Sequence, residues 1–287
     1  MEIRNLSEIN FDTLIDCFLL SFENYFVKMP TDADYYKQRW QTAKVDYRLS
    51  YGMFDDEKLV GFIIHAIDER NSKKTAYNTG TGVIPSHRGQ KIIPSIYEYA
   101  IADLRKNGIE KSVLEVITEN KKAIKTYQHV GFELTKQYKC FTGELKLENQ
   151  FRDITNFELK KVNYSDINWS ELPNQNAYSW DNHFKIIKNG NYEYYQVWTN
   201  ERLESFFVIN PKNGYIAQFE ILKYNQMSKN QVFQRLFYNI NTIIPFIKIN
   251  NIDTKLQDKI DFLGSIGIEN VIDQYEMEMN LDKVKNS

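Results

Sequence analysis

The chain has 287 residues, 26% of them charged and 42% hydrophobic, and its 36 basic and 38 acidic side chains leave a formal net charge of −2. That length exceeds the roughly 100–150 residues usual for one domain, so two domains with separate cores are expected. The balanced charge argues against a nucleic-acid footprint, and no run approaches the roughly 18 apolar residues of a membrane span.

In chain order, residues 3–5 lead into a helical stretch at 11–22, where Phe11, Leu14, Ile15, Phe18 and Leu19 keep helical spacing. A short helix at 32–40 follows Pro30. Residues 50–54 and 59–67 read as a hairpin around a charged turn at 55–58, and another strand covers 75–85. The next helix sets Ile93, Ile96, Tyr97, Ala100, Ile101 and Leu104 on one face and stops at Gly108, a residue suited to a left-handed cap. Residues 112–118 form a buried strand, Asn120 caps a short helix that Gly131 ends, and 132–145 supply one or two closing strands.

A linker at 148–153 divides the expected domains, 1–148 and 152–287. The second half repeats the order: strands at 157–161, 194–198, 203–209 and 215–222, a helical region near 169–172, a helix at 229–243, a strand at 246–249, a helix at 254–262 and a strand at 275–279. It reads as a diverged copy of the first half. Where the first half has its glycine loop, the second reads EILKYNQMSKNQVF, without Arg-Gly, and Leu263 stands four residues before Gly267 as Tyr127 stands before Gly131.

Two segments carry chemistry. GVIPSHRGQKII at 82–93 reads as a strand end, a polar turn with Arg88 and Gly89, and a helix with Pro94 in its first turn. Free N–H groups at such a helix start suit a pyrophosphate, and Arg88 and Lys91 add full charges. NKKAIKTYQHVGF at 120–132 places a phenol, Tyr127, on a helix.

Together they resemble the GNAT superfamily of N-acetyltransferases, whose loop reads Val-x-Pro-x-x-Arg-Gly-x-Gly-x-Gly/Ala and whose second motif reads Asn-x-x-Ala-x-x-x-Tyr-x-x-x-Gly-Phe. Val83, Pro85, Arg88, Gly89, Asn120, Ala123, Tyr127, Gly131 and Phe132 match. Lys91 and Ile93 stand where the family has small residues. Lys91 is therefore expected either to take ordinary helical dihedrals or to displace the cofactor slightly, unless it lends its charge to the phosphates.

The resemblance implies an α/β (α+β) fold of two tandem GNAT-like domains, each a mixed, mostly antiparallel sheet flanked by helices. It also implies acetyl-CoA as co-substrate, without a metal. Val83, Ile84 and Pro85 would line its binding site at the strand end, Arg88, Gly89, Gln90, Lys91, Ile92 and Ile93 in the loop, and Asn120, Ala123 and Tyr127 on the second helix. The Val83 backbone would hold the thioester carbonyl and Tyr127 would protonate the departing thiolate. A core tyrosine is the plainer reading of Tyr127, since Ala123, Ile124 and Val130 give it an apolar face.

Glu115 interrupts the apolar run 113–117, which fits either a group that binds or deprotonates the acceptor amine or a carboxylate paired with a nearby cation. Thr79 and Thr81 share a strand face with Val83, opposite Asn78, Gly80 and Gly82, whose glycines fit a ligand approach or packing under a helix. Phe22, Tyr25, Phe26 and Met29, beside Glu23, occupy the helix connection that the family uses as acceptor wall, though ordinary core at a helix end is the favoured explanation. His87 reads as a solvated turn residue and His65 as half-buried.

The reaction expected is direct acetyl transfer to a primary amine of a small molecule or peptide. An acyl-CoA-binding sensor or interaction module without turnover is the rival, and a two-domain aminoacyl or fatty-acyl transferase ranks below it. Neither nucleic acid nor membrane is an expected partner, and a homodimer is compatible with the sequence. Cys17 and Cys140, which offer neither a metal-ligand spacing nor a disulfide framework, and the non-signal start MEIRNLSEINFDTL suit a cytoplasmic protein.

Overall fold

The computed structural model describes residues 1–146, 157–222 and 228–283, and the chain divides into two compact units, Met1–Lys136 with Tyr275–Ser287, and Gln137–Gln274. Both are mixed sheets with helices packed on them. Among the described residues no helix is long and apolar enough to cross a membrane.

In the first unit β1 (Glu2–Asn5), β2 (Tyr51–Asp55), β3 (Lys58–Arg70) and β4 (Lys73–Val83) pair antiparallel in that order, and β5 (Lys111–Ile117) joins β4 in parallel. The helices begin where the sequence offers caps. The Asn10 side chain accepts the Asp12 N–H at 2.7 Å to start α1 (Phe11–Ser21), and Asp32 accepts that of Asp34 at 2.9 Å to start α2 (Ala33–Ala43). Lys44, left-handed at φ 67°, stops α2 three residues beyond the expected end. After α3 (Ile92–Lys106), Gly108 turns left-handed at φ 74°; α4 (Lys121–Val130) runs from the Asn120 cap to Gly131 at φ 111°.

Leu14, Ile15 and Phe18 of α1 and Ile96, Tyr97, Ala100 and Leu104 of α3 fill the core. Phe18 stacks on Phe62 at 5.7 Å and meets Trp40 edge-on at 5.5 Å. Truncating such a ring to Ala costs about 3–5 kcal/mol.

The second unit runs β7 (Phe157–Val162), a short α5 (Phe184–Ile187), β8 (Glu193–Thr199), β9 (Arg202–Asn210), β10 (Tyr215–Ile221), α6 (Lys229–Ile243), β11 (Phe246–Asp253) and α7 (Gln257–Ser265). Its strands β7 to β10 pair antiparallel in chain order, and β11 joins β10 in parallel. The expected helical region at 169–172 is a 3-10 turn, Trp169–Glu171, and α5 was not foreseen.

The division departs from the expected boundary at 148–152. Residues 147–156, with the expected linker, lie outside the described residues. The strand β6 (Glu133–Glu144), expected to close the first unit, belongs to the second from Gln137 onward, where it pairs antiparallel with β11. Conversely β12 (Glu269–Asn280) belongs to the first unit from Tyr275 onward and is the strand next to β5. Side chains fix it there. Lys111 Nζ lies 2.6 Å from Glu278 Oε1, Lys136 Nζ lies 3.2 Å from Glu276 Oε1, the Leu281 N–H donates to Glu110 O at 2.9 Å, and the Arg105 guanidinium donates to Leu281 O. An apolar strand pattern names a strand's faces but not its neighbour, so this exchange left no local trace.

Candidate functional site

The site begins with a broken ladder. The parallel pairing of β4 with β5 runs from Thr75 opposite Lys111 to Asn78 opposite Leu114 and stops, although β4 continues to Val83 and β5 to Ile117. Thr79 has no counterpart on β3: His65 pairs with Asn78 and Ile64 with Gly80. This bulge is held by Asn78, whose Oδ1 accepts the Gly80 N–H at 3.0 Å. It also changes the expected alternation, because Asn78 Nδ2 donates to Thr81 Oγ1 at 2.5 Å and to the Tyr97 hydroxyl at 2.7 Å. Asn78 thus joins the face of Thr81 instead of opposing it. The glycines answer to packing: a Cβ at Gly80 would come within 3.1 Å of Phe18, and one at Gly82 within 2.6 Å of Ser21, both on α1.

Tyr127 reaches this point from α4. Its ring is buried at 8% exposure, edge-on to Tyr97 and Phe132, and Thr81 is the side-chain hydrogen-bond partner of its hydroxyl. Burial pushes the phenol up to about 12; Thr81 pulls the other way, and the nearby Tyr25 phenol adds to the rise. Tyr25 bonds the side chain of Asn120, the residue that caps α4 by accepting the Ala123 N–H at 3.2 Å, and burial raises its phenol as well. Ala123 is partly buried against the core. Phe26 packs edge-on to Tyr25 at 5.3 Å but is 55% exposed.

Glu115 is the first β5 residue past the end of the ladder. Leu114 and Val116 on either side point into the core, so Glu115 shares the opposite face with Val113 and Ile117 and is half-buried. Among the described residues Thr79 Oγ1 is buried without a hydrogen-bond partner.

The loop itself is built differently from expectation in three respects. Arg88 is tied down, its Nε donating to Val83 O at 3.3 Å and its Nη2 to Ser21 O at 3.1 Å, which closes the loop against the end of α1. Ile84 and Ile92 are core residues, 1% and 3% exposed, and the Ile84 N–H donates to Val60 O. Lys91 takes the left-handed conformation, φ 56° and ψ 24°, that a glycine adopts freely, at a cost of about 1–2 kcal/mol. Ordinary helical dihedrals are thus excluded for it.

Because successive N–H groups of a strand point to opposite edges, the Val83 N–H faces the side from which β5 has departed. Pro85 opens an exposed 3-10 turn, Gly89 at φ 81° has no atom within 4 Å of where a Cβ would lie, and Gln90 is exposed. Ile93 packs against the core, and α3 starts with no side-chain cap. His87 is anchored rather than loose, 3.3 Å from Asp55. His65 is fully buried, not half-buried: its Nδ1 lies 2.7 Å from Leu49 O, and burial lowers its pKa to about 4, so it is neutral.

Asn78 and Tyr97 were missed as members of this network. A polar residue two before a strand glycine was the available signal for the bulge.

In the second unit the parallel pairing of β10 with β11 is confined to Tyr215 opposite Lys248, so those strands part earlier. The chain fills that opening itself. The Tyr178 hydroxyl lies 2.7 Å from Glu220 Oε1 and 3.1 Å from Phe219 O on β10, and Asn182 Nδ2 donates to Asn250 O on β11 at 2.8 Å. Lys259 of α7 donates to Phe219 O and Glu220 Oε1, each at 2.7 Å; burial lowers its pKa, with Glu220 opposing. The start of α6 is closed by a capping box between Ser228 and Gln231, and Leu263, the counterpart of Tyr127, is buried in the apolar core. Residues 223–227 of the expected loop counterpart lie outside the described residues.

The model of the acetyltransferase (GNAT) family matches residues 12–132. No curated protein matches the chain. Among solved structures, a tandem GNAT protein from the clavulanic acid biosynthesis pathway aligns over 99% of both chains at a TM-score of 0.70 and 12% identity. A GCN5-related N-acetyltransferase from Sphaerobacter thermophilus aligns over 98% of this chain and 95% of its own at 0.69 and 8%. For a putative acetyltransferase from Pyrococcus horikoshii the values are 97%, 89%, 0.61 and 13%. At these identities the likeness is one of fold.

Proposed function

From the premise that residues 12–132 are a GNAT-family domain within a chain of tandem GNAT fold, we propose that the first unit is an acetyl-CoA-dependent N-acetyltransferase that transfers its acetyl group directly to a primary amine. The observation that carries this reading is the parting of β4 and β5 beyond Asn78 and Leu114, with the Tyr127 phenol at one side and an uncapped α3 at the mouth.

The donor set fits a phosphate-bearing thioester. Open space at Gly89 lets backbone approach a phosphate, and the first N–H groups of α3 lack intrahelical acceptors. Arg88 contributes its charge while shaping the loop, and Lys91 adds a second cation. When bound, acetyl-CoA supplies a thioester carbonyl open to attack by an amine.

The Val83 N–H would donate to that carbonyl oxygen. Tyr127 holds its proton at neutral pH, since its phenol stands at about 12, and would donate a hydrogen bond to the departing sulfur. An ordinary thiol, at about 8.5, is the stronger acid, so Tyr127 acts mainly as donor and need not become phenolate. Glu115, at the end of the ladder, would receive the ammonium proton or orient a water that does. Thr79, Thr81, Tyr25 and Phe26 would border the acceptor.

The test is release of free thiol from acetyl-CoA by the purified chain across a panel of primary amines. Amine-dependent release, reduced at least ~100-fold in Tyr127→Phe with acetyl-CoA affinity unchanged, supports the assignment. Binding of acetyl-CoA without release for any amine overturns the enzyme reading in favour of a binding module.

A further inference from the structure

The hydroxyls linked to Tyr127 can be given their protons one by one. Asn78 is the starting point. Its Oδ1 accepts the Gly80 N–H at 3.0 Å, which sets the amide the way round that aims both N–H bonds of Nδ2 at hydroxyls: Thr81 Oγ1 at 2.5 Å and the Tyr97 hydroxyl at 2.7 Å. Tyr97 is also hydrogen-bonded to Thr81, and Thr81 to Tyr127.

Tyr97 is 0% exposed, and a buried O–H without an acceptor is costly. Of its two hydrogen-bond partners, the Asn78 amide nitrogen can only donate, so the Tyr97 proton goes to Thr81 Oγ1. That oxygen then accepts twice, from Asn78 and from Tyr97, and both its lone pairs are taken. A proton from Tyr127 finds no acceptor there. The single proton of Thr81 is left to point at the Tyr127 oxygen, and among the described residues the Tyr127 hydroxyl has no other hydrogen-bond partner. Its own proton is thereby turned out of the network, into the opening that the phenol borders.

We propose that Asn78 and Tyr97 are positioning residues for acetyl transfer: by saturating Thr81 Oγ1 they make Tyr127 an acceptor towards the protein and reserve its O–H for the departing sulfur. This rests on the reading of Tyr127 as donor to that sulfur and adds what holds the donor in the productive sense.

One substitution reverses the order. In Asn78→Asp one carboxylate oxygen still takes the Gly80 N–H, while the other accepts where the amide donated and draws the protons of Tyr97 and Thr81 to itself. Thr81 Oγ1 is then left without donors and captures the Tyr127 proton. Tyr97→Phe is milder. It frees one of the two acceptor positions and keeps the ring that packs edge-on against Tyr127 and Phe132.

The experiment measures amine-dependent thiol release by the full chain carrying Asn78→Asp, Tyr97→Phe or Tyr127→Phe, and by the two doubles that add Tyr127→Phe to each of the others. The expected fall in kcat is about 10-fold for Asn78→Asp and about 3-fold for Tyr97→Phe, with KM for acetyl-CoA and for the amine unchanged. On the Tyr127→Phe background neither should slow turnover further, because the proton that each misdirects is absent. A merely structural role requires the opposite, an added loss in the doubles. That result overturns the proposal, as does wild-type kcat in both single variants or a loss that lies in KM alone. Should Asn78→Asp fail to fold, Tyr97→Phe carries the same comparison. Neutron diffraction from the deuterium-exchanged wild-type chain reads the network without turnover, and a Tyr127 deuterium lying on Thr81 Oγ1 overturns the ordering. Unchanged turnover in Tyr127→Phe, or no thiol release with any amine, removes the underlying reading first and the positioning role with it.

Discussion

Both units contain a parallel strand pair that comes apart, and they treat the opening in opposite ways. In the first, the space past Asn78 and Leu114 is bordered by hydroxyls and by a helix start without a cap. In the second, Tyr178, Asn182 and Lys259 take up the carbonyls of Phe219 and Asn250, and Ser228 with Gln231 closes the α6 start. The difference teaches that two openings of the same origin, parting parallel strands, can be lined in opposite ways. In the second unit the carbonyls of Phe219 and Asn250, the Glu220 carboxylate and the α6 start have partners within the chain, which removes the penalty for leaving them buried and unsatisfied.

That contrast is open to direct attack. Removing residues 275–287 has the largest expected effect, because β5 loses its neighbour, Glu110 O loses the Leu281 N–H, Lys111 loses Glu278 and Arg105 loses Leu281 O: hydrogen exchange should show the first unit unprotected and the second retained. Tyr127→Phe comes next, with turnover down ~10²–10⁴-fold and the fold intact. Lys259→Met, which leaves Glu220 buried with Tyr178 and Asn174 as its partners among the described residues, should cost the second unit about 3–5 kcal/mol in denaturant titration without altering coenzyme affinity.

A smaller effect appears with pH. His65 is depressed from its ordinary 6.5 to about 4, so the unfolded chain binds the proton first on acidification. The stability it confers is complete above pH 6.5 and lost as pH falls towards 4. The loss should approach about 3 kcal/mol in the first unit, read as the pH dependence of its unfolding midpoint. His65→Gln should flatten that slope. Last, Lys91→Gly should raise the stability of the unliganded chain by at most about 1 kcal/mol, relief of a left-handed lysine being partly offset by glycine's greater chain entropy.

The features legible in the sequence were the local ones. The periodic faces of α1 and α3, the caps at Asn120 and Gly131, and the bounds of α6 all follow from spacing and end chemistry within a few residues. The matched motifs led to Tyr127 and the α3 start, but did not reveal that Arg88 binds two carbonyls or that Lys91 adopts a glycine conformation, since both depend on where the end of α1 arrives. The bulge at Thr79, which moves Asn78 onto the face of Thr81, depends on register with β3. The filling of the second opening and the exchange of β6 and β12 join residues far apart in the chain, and no local pattern encodes such partners.

The exchange also sets an order of events during translation. Once residue 136 has been made, a further 139 residues (275 − 136) must be added before β12 reaches the first unit. At about 5–20 residues per second this is a wait of roughly 7–28 s. Throughout it the nascent first unit presents β5 as an unsealed edge, a template for stray pairing that only the ribosome's later output covers. Any chaperone dependence of this protein should therefore fall in that interval, and a ribosome stalled within it leaves a chain whose matched motifs are all present and whose sheet is unfinished.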